Sequence, residues 1–422
     1  MGASFDQPVA ANHSRTHLVR FVSWALLIGG SISLVVPSGY SLSPLLLFFC
    51  SAVLIWRRPG LNLTRDDWCL VILMAGFFVV NVALNLVHGL SSRYYEGYSR
   101  FLLALPILLL LLAYPPRAGF WWAGVALGAV AGGLWAAWSK LAVDMPRVGG
   151  HMNPIQFGNL SLLSGSLCVA ALGWANSRSR PRLWVALLLL GALGGLVGGL
   201  FSGARGGWLA VPVLAVLFYL HYRRSVRRRY LAVSLVILAV LSAGLYLTPQ
   251  TGIQQRFGLA LTELRSYWQE GHTQSSVGVR LAMWRGGLDM AAERPFLGWG
   301  ETDYLRPLQE RVSHPRTRRL IGQFDHLHND LLDVQVKRGL LGTLGVILIY
   351  LVPLSVFARR LQAGSQEHKS YALAGVTLVV ATAMFGLTQA FLNHNSGVTV
   401  YAFTLVVLWA LMRREERGSR ET

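Results

Sequence analysis

Long uncharged apolar stretches recur from one end of the 422-residue chain to the other, and they constrain its fold more than any other feature. A helix needs about 20 mostly apolar residues to cross a bilayer, and many of these stretches reach or approach that length. Only 14% of the residues are charged and 53% are hydrophobic, whereas a soluble domain usually carries about a quarter charged residues. The sequence therefore predicts a polytopic membrane protein and excludes soluble enzyme folds.

The apolar stretches predict an all-α integral membrane protein with about twelve transmembrane helices. These spans are predicted near residues 18–36, 42–56, 68–87, 100–114, 120–143, 155–175, 183–201, 208–220, 230–248, 334–357, 370–391 and 395–412. They divide the chain into three parts. Residues 1–248 hold the first nine spans, residues 249–333 form a large outer loop, and residues 334–422 hold the last three spans and a cytoplasmic tail.

The basic residues alternate between loops in a way that indicates orientation. With the N-terminus inside, the inner segments contain more than half of the 38 Lys and Arg residues, including the basic run His221–Arg229. The short outer loops are nearly bare. This positive-inside pattern predicts that both termini lie in the cytoplasm. The net charge of +19 then reflects orientation and contact with anionic membrane lipids, not nucleic-acid binding.

One outer segment, from Pro249 to about Asp333, is far longer than the other loops. It contains as many Arg residues as Asp and Glu residues together, so it is charge-balanced where the inner face is strongly positive. The pattern predicts two amphipathic helices, Gln254–Glu270 and Val277–Arg294, with Pro295 ending the second. Connections of this length are usually functional.

Small and polar residues inside the spans have simpler interpretations. The glycines between Gly191 and Gly199 indicate close packing of membrane helices, because no strand precedes them and no Gly-Lys-Ser/Thr sequence follows. Asn81, Asn85 and His88 follow one side of the third span at helical spacing. Such a stripe serves either a functional site or hydrogen bonds between helices, and the sequence leaves both open.

Two arginines on the predicted outer side are candidates for binding an anion. Arg205 lies in the tight turn 202–208, where topology gives a positive charge no use, and an arginine at membrane depth costs on the order of 2.5–3.5 kcal/mol. Neighbouring glycines free backbone N–H groups to converge on an anion; snorkelling to lipid headgroups is the alternative. Arg280, near the start of the second loop helix, offers a planar fork suited to phosphate oxygens, although its signal alone is weak.

The stretch 323–332 places two histidines and several carboxylates at the predicted outer membrane boundary. The pair His326 and His328 with nearby Asp residues raises the possibility of a metal site. If the helix has already begun, residues two apart point to different faces, which disfavours shared ligation. A histidine at a helix N-terminus has its pKa lowered by the helix dipole, so its imidazole stays available as a base. Capping of an interfacial helix is the remaining alternative.

Several motifs together resemble one known family. His328-Asn329, nine residues, then Gly339-Leu340-Leu341-Gly342 resembles the His-Asn-x9-Gly-x-x-Gly signature of bacterial O-antigen ligases. The turn 202–206 resembles the Ser-x-x-Arg-Gly turn of the wider O-antigen ligase and polymerase family. Arg280 followed by 295–300 resembles that family's Arg and Pro-x-x-Gly-x-Gly pattern, and Asn153-Pro154 before the sixth span also fits. The resemblance covers about residues 150–345.

The resemblance implies a GT-C-like membrane glycosyltransferase. Such an enzyme transfers a polysaccharide from undecaprenyl pyrophosphate to a lipid A–core acceptor at the periplasmic face, with inversion and without a metal or other cofactor. It implies that Arg205 and Arg280 stabilise the pyrophosphate and that His328 takes the proton of the attacking hydroxyl. The residues that it implies for substrate binding are Asn329, His326, Gly203, Gly206 and Asn153.

Three alternatives stay open at this point. An O-antigen polymerase uses the same donor but a second lipid-linked glycan as acceptor, and a protein-glycosylating ligase belongs to the same family. A lipid or anion transporter, with Arg205 and Arg280 along its path, is the alternative from a different class. Such a transporter should carry paired inverted repeats with broken helices, and no such pairing is visible in the sequence.

Overall fold

The computed structural model describes residues 7–223, 247 and 253–421. Within these ranges every regular element is a helix. The predicted span 230–248 and most of the basic run 221–229 lie outside the described residues. The α-helices before this gap are α1 (Gln7–Ile32), α2 (Leu42–Ser51), α3 (Val53–Arg57), α4 (Arg65–Val87), α5 (Glu96–Ala113), α6 (Ala118–Leu141), α7 (Pro154–Ala170), α8 (Leu172–Asn176), α9 (Pro181–Phe201) and α10 (Ala210–Tyr222).

The helices after the gap form the loop and the last part of the bundle. They are α11 (Ile253–Glu270), α12 (Ser276–Glu293), α13 (Leu305–Glu310), α14 (Pro315–Ile321), α15 (Asp330–Arg360), α16 (Gln366–Gly386) and α17 (Asn395–Glu421). The two amphipathic loop helices predicted from the sequence correspond to α11 and α12 within one residue at each end. The described part of the loop is therefore mostly helical, as predicted.

Nine helical stretches among the described residues are long and apolar enough to cross a membrane. They are Gly39–Arg57, Arg65–Val87, Ser92–Ala113, Ala118–Leu141, Pro154–Asn176, Pro181–Phe201, Asp330–Arg360, Gln366–Gly386 and Asn395–Gly418. Of the other predicted spans, 18–36 lies mainly in α1 and 208–220 lies mainly in the shorter α10. Helices satisfy their own backbone hydrogen bonds, which a bilayer cannot do for them. The prediction of an all-helical integral membrane protein is confirmed.

Polar residues just before the helices set where several of them begin. At α4, the Thr64 N–H donates to the Asp67 carboxylate (2.8 Å) while the Asp67 N–H donates back to the Thr64 hydroxyl, which forms a capping box. Asn153 caps α7, whose first residue is Pro154, and Ser275 caps α12. Proline suits this first position because its missing N–H has no helical partner there.

The glycines of α9 let neighbouring helices approach to backbone contact. A side chain at Gly194 would collide with the backbone of Ala129 and Val130 on α6. A side chain at Gly195 would collide with the backbone of Ser161 and Gly165 on α7. Close approach through small residues is the usual way in which membrane helices pack, so the prediction of a packing role for this cluster is confirmed.

The ends of α4, α15 and α17 meet in a network of paired charges, here called the tail-end network. Arg413 donates to the buried carboxylate of Asp67 (3.1 Å). Arg360 donates to both Asp66 (2.7 Å) and Glu416 (2.5 Å). Every cation of this network has at least one carboxylate partner, which is the arrangement expected for ion pairs that serve packing.

Helix α15 is interrupted one third of the way along its length. Gly339 has φ 61° and ψ −161°, a conformation open to glycine because it has no Cβ. The break separates the segment 330–338 from the long apolar segment 340–360. An interrupted helix leaves backbone groups without helical partners, and these are costly to bury.

The turn Pro295–Gly300 occupies this interruption and satisfies the freed backbone groups. The Trp299 N–H donates to the Val336 carbonyl (2.8 Å), and the Leu340 N–H donates to the Pro295 carbonyl (2.7 Å). A side chain at Gly339 would collide with the backbone of this turn. The Pro-x-x-Gly-x-Gly and Gly-x-x-Gly patterns, which begin 44 positions apart, thus form one structural joint between the loop and the bundle.

The polar stripe of α4 packs against this joint. Arg338 donates through Nη1 to the Asn85 side chain (2.8 Å) and to the Asn81 carbonyl (3.4 Å). The His88 ring nitrogen Nε2 bonds to the Leu297 carbonyl (2.9 Å). Of the two interpretations left open by the sequence, hydrogen bonding between elements is therefore the one observed.

Candidate functional site

The segment 326–328 is an ordered turn just before α15. The buried Leu327 fixes it by both backbone groups: its N–H donates to Asp333 (2.9 Å), and its carbonyl accepts from the Trp284 indole (2.8 Å). Because α15 begins only at Asp330, residues two apart need not face opposite ways here. The rings of His326 and His328 lie side by side with their centroids 4.4 Å apart.

His328 is held in an unusual backbone conformation. Its φ is 54°, in the left-handed region that residues other than glycine seldom adopt. The next residue, Asn329, caps α15 by accepting from the Leu332 N–H (3.0 Å), and its amide donates to the Leu387 carbonyl (3.1 Å). Asn329, predicted as a substrate-binding residue, is thus already engaged in holding the turn. Strained residues of this kind cluster at functional sites.

A chain of hydrogen bonds runs from Asp325 through three histidines. His326 donates from Nδ1 to Asp325 (2.5 Å), and its Nε2 lies 3.2 Å from Nδ1 of His328. The same Nδ1 of His328 lies 2.7 Å from Oε1 of the buried Gln389. The Gln389 amide in turn donates to Nε2 of His394 (2.6 Å).

This chain assigns the tautomer of His328. Oε1 of Gln389 can only accept, so Nδ1 of His328 carries the proton and Nε2 keeps its lone pair. Nε2 has no hydrogen-bonding partner among the residues that the structure describes. Burial, and then the neighbouring His326 and Arg280, lower the pKa of His328 to about 3. The imidazole is therefore neutral at physiological pH, with an open acceptor nitrogen.

Asp325 and His394, two further members of the chain, differ in charge. The hydrogen bond from His326 holds the pKa of Asp325 far below its usual range, so this carboxylate is ionised at neutral pH. Burial, and then His326, lower the pKa of His394 to about 4. The cluster therefore combines a neutral imidazole at His394 with an anion at Asp325.

Arg280 lies in the second turn of α12, close to the histidine turn. Burial, and then the nearby Arg205 and Arg147, lower its pKa to about 10, and Glu263 acts in the opposite direction. The guanidinium thus remains charged at neutral pH. It makes no hydrogen bond to any residue in the described part of the chain, which leaves its fork of donors open.

Arg205 lies in the turn after α9, as predicted, and is connected to α12 through one carboxylate. Its Nη2 is 3.4 Å from Oε2 of Glu263 on α11. The same oxygen accepts from the Val277 N–H (3.2 Å) at the start of α12. Glu263 therefore ties together the two elements that carry Arg205 and Arg280.

The three other residues predicted to bind substrate shape the backbone around the arginines. Gly203 has φ 65° and allows the turn before Arg205, whereas Gly206 packs against the Thr388 side chain. The Asn153 side chain accepts from the Ile155 N–H (2.8 Å). These contacts are positioning contacts within the protein.

Arg147 is a member of the site that the sequence analysis missed. It lies in the connection between α6 and α7, close enough to Arg280 to lower its pKa. Like Arg205, Arg147 lies in a predicted outer loop, where the positive-inside pattern does not account for an arginine, and this signal could have identified it. Gln389 and His394 have no such signal, because nothing in their spacing relates them to His328.

A second group of cations, Lys337 and Arg338, lies next to the same turn. The Lys337 ammonium is 3.0 Å from Glu301, 3.1 Å from Asp333 and 2.7 Å from the Asp325 carbonyl. Arg338 is 3.1 Å from Glu301. Burial alone would raise the pKa of Glu301, but Lys337 and Arg338 hold it below its usual value. We call this group the paired cluster.

Metal binding was left open by the sequence because of the two neighbouring histidines. In the ranges that the structure describes, no group of three or more His, Cys, Asp or Glu side chains is arranged to hold a metal ion. The ring nitrogens that link His326 and His328 are used in the hydrogen-bond chain. The donor set of this turn therefore fits a hydrogen-bonded base better than a metal site.

The fold and the site define a class: an all-helical membrane protein in which several arginines and the neutral imidazole of His328 lie close together beside a helical loop. Residues 192–347 match the family model described as O-antigen ligase. This match contains Arg205, Arg280 and His328, and it confirms the resemblance to the O-antigen ligase family that the motifs predicted. It supports a membrane glycosyl-transfer function.

Two relatives extend this comparison. The chain is 26% identical over 373 residues to an uncharacterised protein of Haemophilus influenzae, a match that covers 87% of this chain and 92% of that protein. It is also 26% identical over 148 residues to a protein of Escherichia coli named O-antigen ligase. The second match covers 35% of each chain.

Proposed function

We propose that this protein is an O-antigen ligase of the inner membrane. It transfers a polysaccharide from undecaprenyl pyrophosphate to a hydroxyl of the lipid A–core oligosaccharide, at the periplasmic face. One observation carries the proposal: Arg280, which has no hydrogen bond in the described structure, lies close both to Arg205 and to the neutral His328. An anionic leaving group and a proton acceptor can thus act on the same reacting centre.

The arginines stabilise the leaving group. As the bond between the anomeric carbon and the pyrophosphate oxygen breaks, negative charge develops on the pyrophosphate. Fixed cations aimed at such charge in a site with little water are worth far more than in bulk solvent. Arg280 has open donors, Arg205 is held in place by Glu263, and the nearby Arg147 adds to the positive potential.

His328 acts as the general base. Its Nε2 takes the proton of the acceptor hydroxyl while the hydroxyl oxygen forms the new bond to the anomeric carbon. The proton on Nδ1 of His328 stays there, hydrogen-bonded to Oε1 of Gln389, and this bond keeps the reactive tautomer in place. The acceptor attacks from the side opposite the pyrophosphate, so the anomeric configuration inverts. The donor carries its own leaving group, so the reaction needs no nucleotide cofactor.

The topology that accompanies this proposal places the helical loop and the histidine turn in the periplasm, with both termini in the cytoplasm. The tail-end network then lies at the cytoplasmic surface, where the positive-inside pattern collects arginines. A GT-C-like arrangement, with a helical loop above a membrane bundle, accommodates a lipid-linked donor. Lipids contact the apolar outer faces of the bundle.

Purified protein in nanodiscs tests the proposal. With polyprenyl-pyrophosphate-linked O-antigen and lipid A–core, the wild-type protein should form capped lipopolysaccharide. His328→Ala should reduce the rate about 100- to 10,000-fold, the usual contribution of general-base catalysis. His272→Ala, a change at an exposed histidine of the same loop, should leave the rate unchanged. Wild-type rates in the His328→Ala protein would contradict the assignment of the base.

A strain that lacks the gene distinguishes ligase from polymerase. Loss of a ligase leaves bare core and strands the finished glycan on its lipid carrier, whereas loss of a polymerase leaves core capped with a single unit. Electrophoresis of lipopolysaccharide from the deletion strain, with the wild-type and His328→Ala genes restored in turn, separates these outcomes. A single-unit cap in the deletion strain would exclude the ligase.

A further inference from the structure

A cavity of about 690 Å³ lies beside the histidine cluster, within the size range of small-molecule binding sites. The start of α5, the residues before α13 and the start of α17 contribute to its wall. Asp325 and His394 also line it, and both contact His326: Asp325 through the 2.5 Å hydrogen bond, and His394 with ring centroids 5.2 Å apart. The cavity thus reaches the hydrogen-bond chain that contains His328.

The cavity wall combines aromatic rings with uncharged and acidic hydrogen-bonding groups. Tyr94 and Tyr304 supply rings, and Glu96 and Asn395 supply polar groups. The Asn395 amide donates to Glu96 (2.8 Å), which fixes both side chains before any ligand binds. Aromatic surface with a few fixed polar groups is typical of sites that bind a polar organic ligand in one orientation.

The charges of the cavity wall disfavour binding of the donor's pyrophosphate in this cavity. Arg147, Arg205 and Arg280 do not line it. Two basic side chains do line it: Lys337 already pairs with Glu301 and Asp333. The other, Arg93, lies over the Tyr94 ring and donates to the Tyr94 hydroxyl (2.6 Å). The ionised Asp325 repels other anions, so a pyrophosphate is disfavoured beside it, whereas uncharged sugar hydroxyls can bond to carboxylates and amides.

We propose that this cavity binds the sugars of the acceptor oligosaccharide. The histidine cluster then separates two chemically different compartments: the arginines hold the anionic donor on one side, and the acid-lined cavity holds the acceptor on the other. Separate compartments keep a highly charged leaving group from occupying the acceptor site. This inference rests on the proposed function, because it assigns one of the two substrates of that reaction to a place in the fold.

Gly97 provides a way to fill the cavity. It lies in the first turn of α5 and lines the cavity, and a Cβ added there would meet no atom within 4 Å. The series Gly97→Ala, Gly97→Leu and Gly97→Trp therefore fills the space in steps. Gly76 on α4 also has nothing within 4 Å of an added Cβ but does not line the cavity, so Gly76→Trp is a matched control.

The measurement is the dependence of transfer rate on acceptor concentration in nanodiscs. Gly97→Ala should behave as wild type, and Gly97→Trp should raise the half-saturating acceptor concentration about tenfold or more, with Gly97→Leu between them. The half-saturating donor concentration should stay the same throughout, and Gly76→Trp should match wild type. A wild-type acceptor dependence in active Gly97→Leu and Gly97→Trp proteins would overturn the proposal.

Direct binding separates failure of this inference from failure of the proposed function. The probe is the core oligosaccharide freed from lipid A, with its binding followed by saturation-transfer NMR. If the wild-type protein transfers no glycan but binds this oligosaccharide, and Gly97→Trp abolishes the binding, the cavity assignment stands and the ligase proposal falls. If transfer occurs and neither the binding nor the acceptor dependence responds to the Gly97 series, the ligase proposal stands and the cavity assignment falls.

Discussion

Two groups of cations lie next to the histidine turn and are built in opposite ways. In the paired cluster, the buried Lys337 and Arg338 share Glu301 at 3.0 and 3.1 Å, and Asp333 adds a further carboxylate. In the other group, Arg280 lies near two more arginines, Arg205 and Arg147, and near the carboxylate of Glu263. Buried cations satisfied by carboxylates hold a fold together, whereas a partly buried guanidinium such as that of Arg280, which makes no hydrogen bond in the described structure, favours an anion from outside. Composition alone does not distinguish these two uses.

Replacing Arg280 should have the largest effect, a loss of glycosyl-transfer activity without a loss of stability. Arg280→Ala should lower the transfer rate about 100- to 1,000-fold, the usual loss when one preorganised donor to a developing charge is removed. Arg280→Lys keeps the charge without the planar fork and should fall between Ala and wild type. Because Arg280 makes no hydrogen bond in the described structure, the melting temperature should not decrease. Arg285→Ala, an exposed position on the same helix, is the control for both measurements.

The paired cluster should respond in the reverse way. Glu301→Gln removes the carboxylate that Lys337 and Arg338 share and leaves buried positive charge, which should reduce the free energy of unfolding by about 3–5 kcal/mol. The measurement is chemical unfolding in detergent micelles. Glu310→Gln, which breaks the exposed pair with Arg306 (3.0 Å), should cost at most about 1 kcal/mol.

The two experiments together can show that the contrast between Arg280 and the paired cluster is wrong. If Glu301→Gln unfolds like the wild-type protein but loses transfer, the paired cluster belongs to the catalytic site. If Arg280→Ala lowers stability as much as Glu301→Gln does, Arg280 holds the fold.

The sequence predicted those residues of the candidate site whose polar or charged side chains are unfavourable in or near a membrane. Arg205 could be identified because the positive-inside pattern does not account for an arginine in an outer turn. His328 could be identified because it lies directly before an apolar span. The bounds of α11 and α12 followed from local amphipathic periodicity. Each of these signals is local or concerns burial in lipid, which sequence patterns report well.

What the sequence could not predict depends on contacts between distant segments. Gln389 lies 61 positions from His328 along the chain yet bonds to it at 2.7 Å. The joint at Gly339 requires the Pro295 turn to supply backbone groups across a similar gap. His326 and His328 can face each other because α15 begins only at Asp330. Sequence periodicity defines the start of a helix only to within a few residues.

A smaller effect is expected at Gln389, which we place as a positioning residue. Gln389→Leu removes the acceptor that keeps the proton of His328 on Nδ1, so the transfer rate should fall about 10- to 100-fold with an unchanged half-saturating acceptor concentration. Gln389→Glu retains an acceptor at the same place and should restore most of the rate. Failure of Gln389→Glu to restore it, with a lowered melting temperature in both variants, would indicate a purely structural role.

The smallest expected effect is a displaced pH profile, and it tests whether Arg280 and His328 share one site. Because the pKa of His328 is lowered to about 3, the imidazole is neutral throughout the usual assay range. The kcat/KM of the wild-type protein should therefore show no acid limb near 6.5, the ordinary value for histidine.

In Arg280→Gln one nearby positive charge is gone, so the protonated form of His328 is less disfavoured and its pKa rises. The acid limb of kcat/KM should move to higher pH, although it should stay below the ordinary value because burial is the larger cause. Arg285→Gln on the outer face of α12 should leave the limb in place. The size of this pKa shift depends on the distance between Arg280 and His328. An acid limb that Arg280→Gln leaves unchanged would therefore show that the two residues do not lie in the same site.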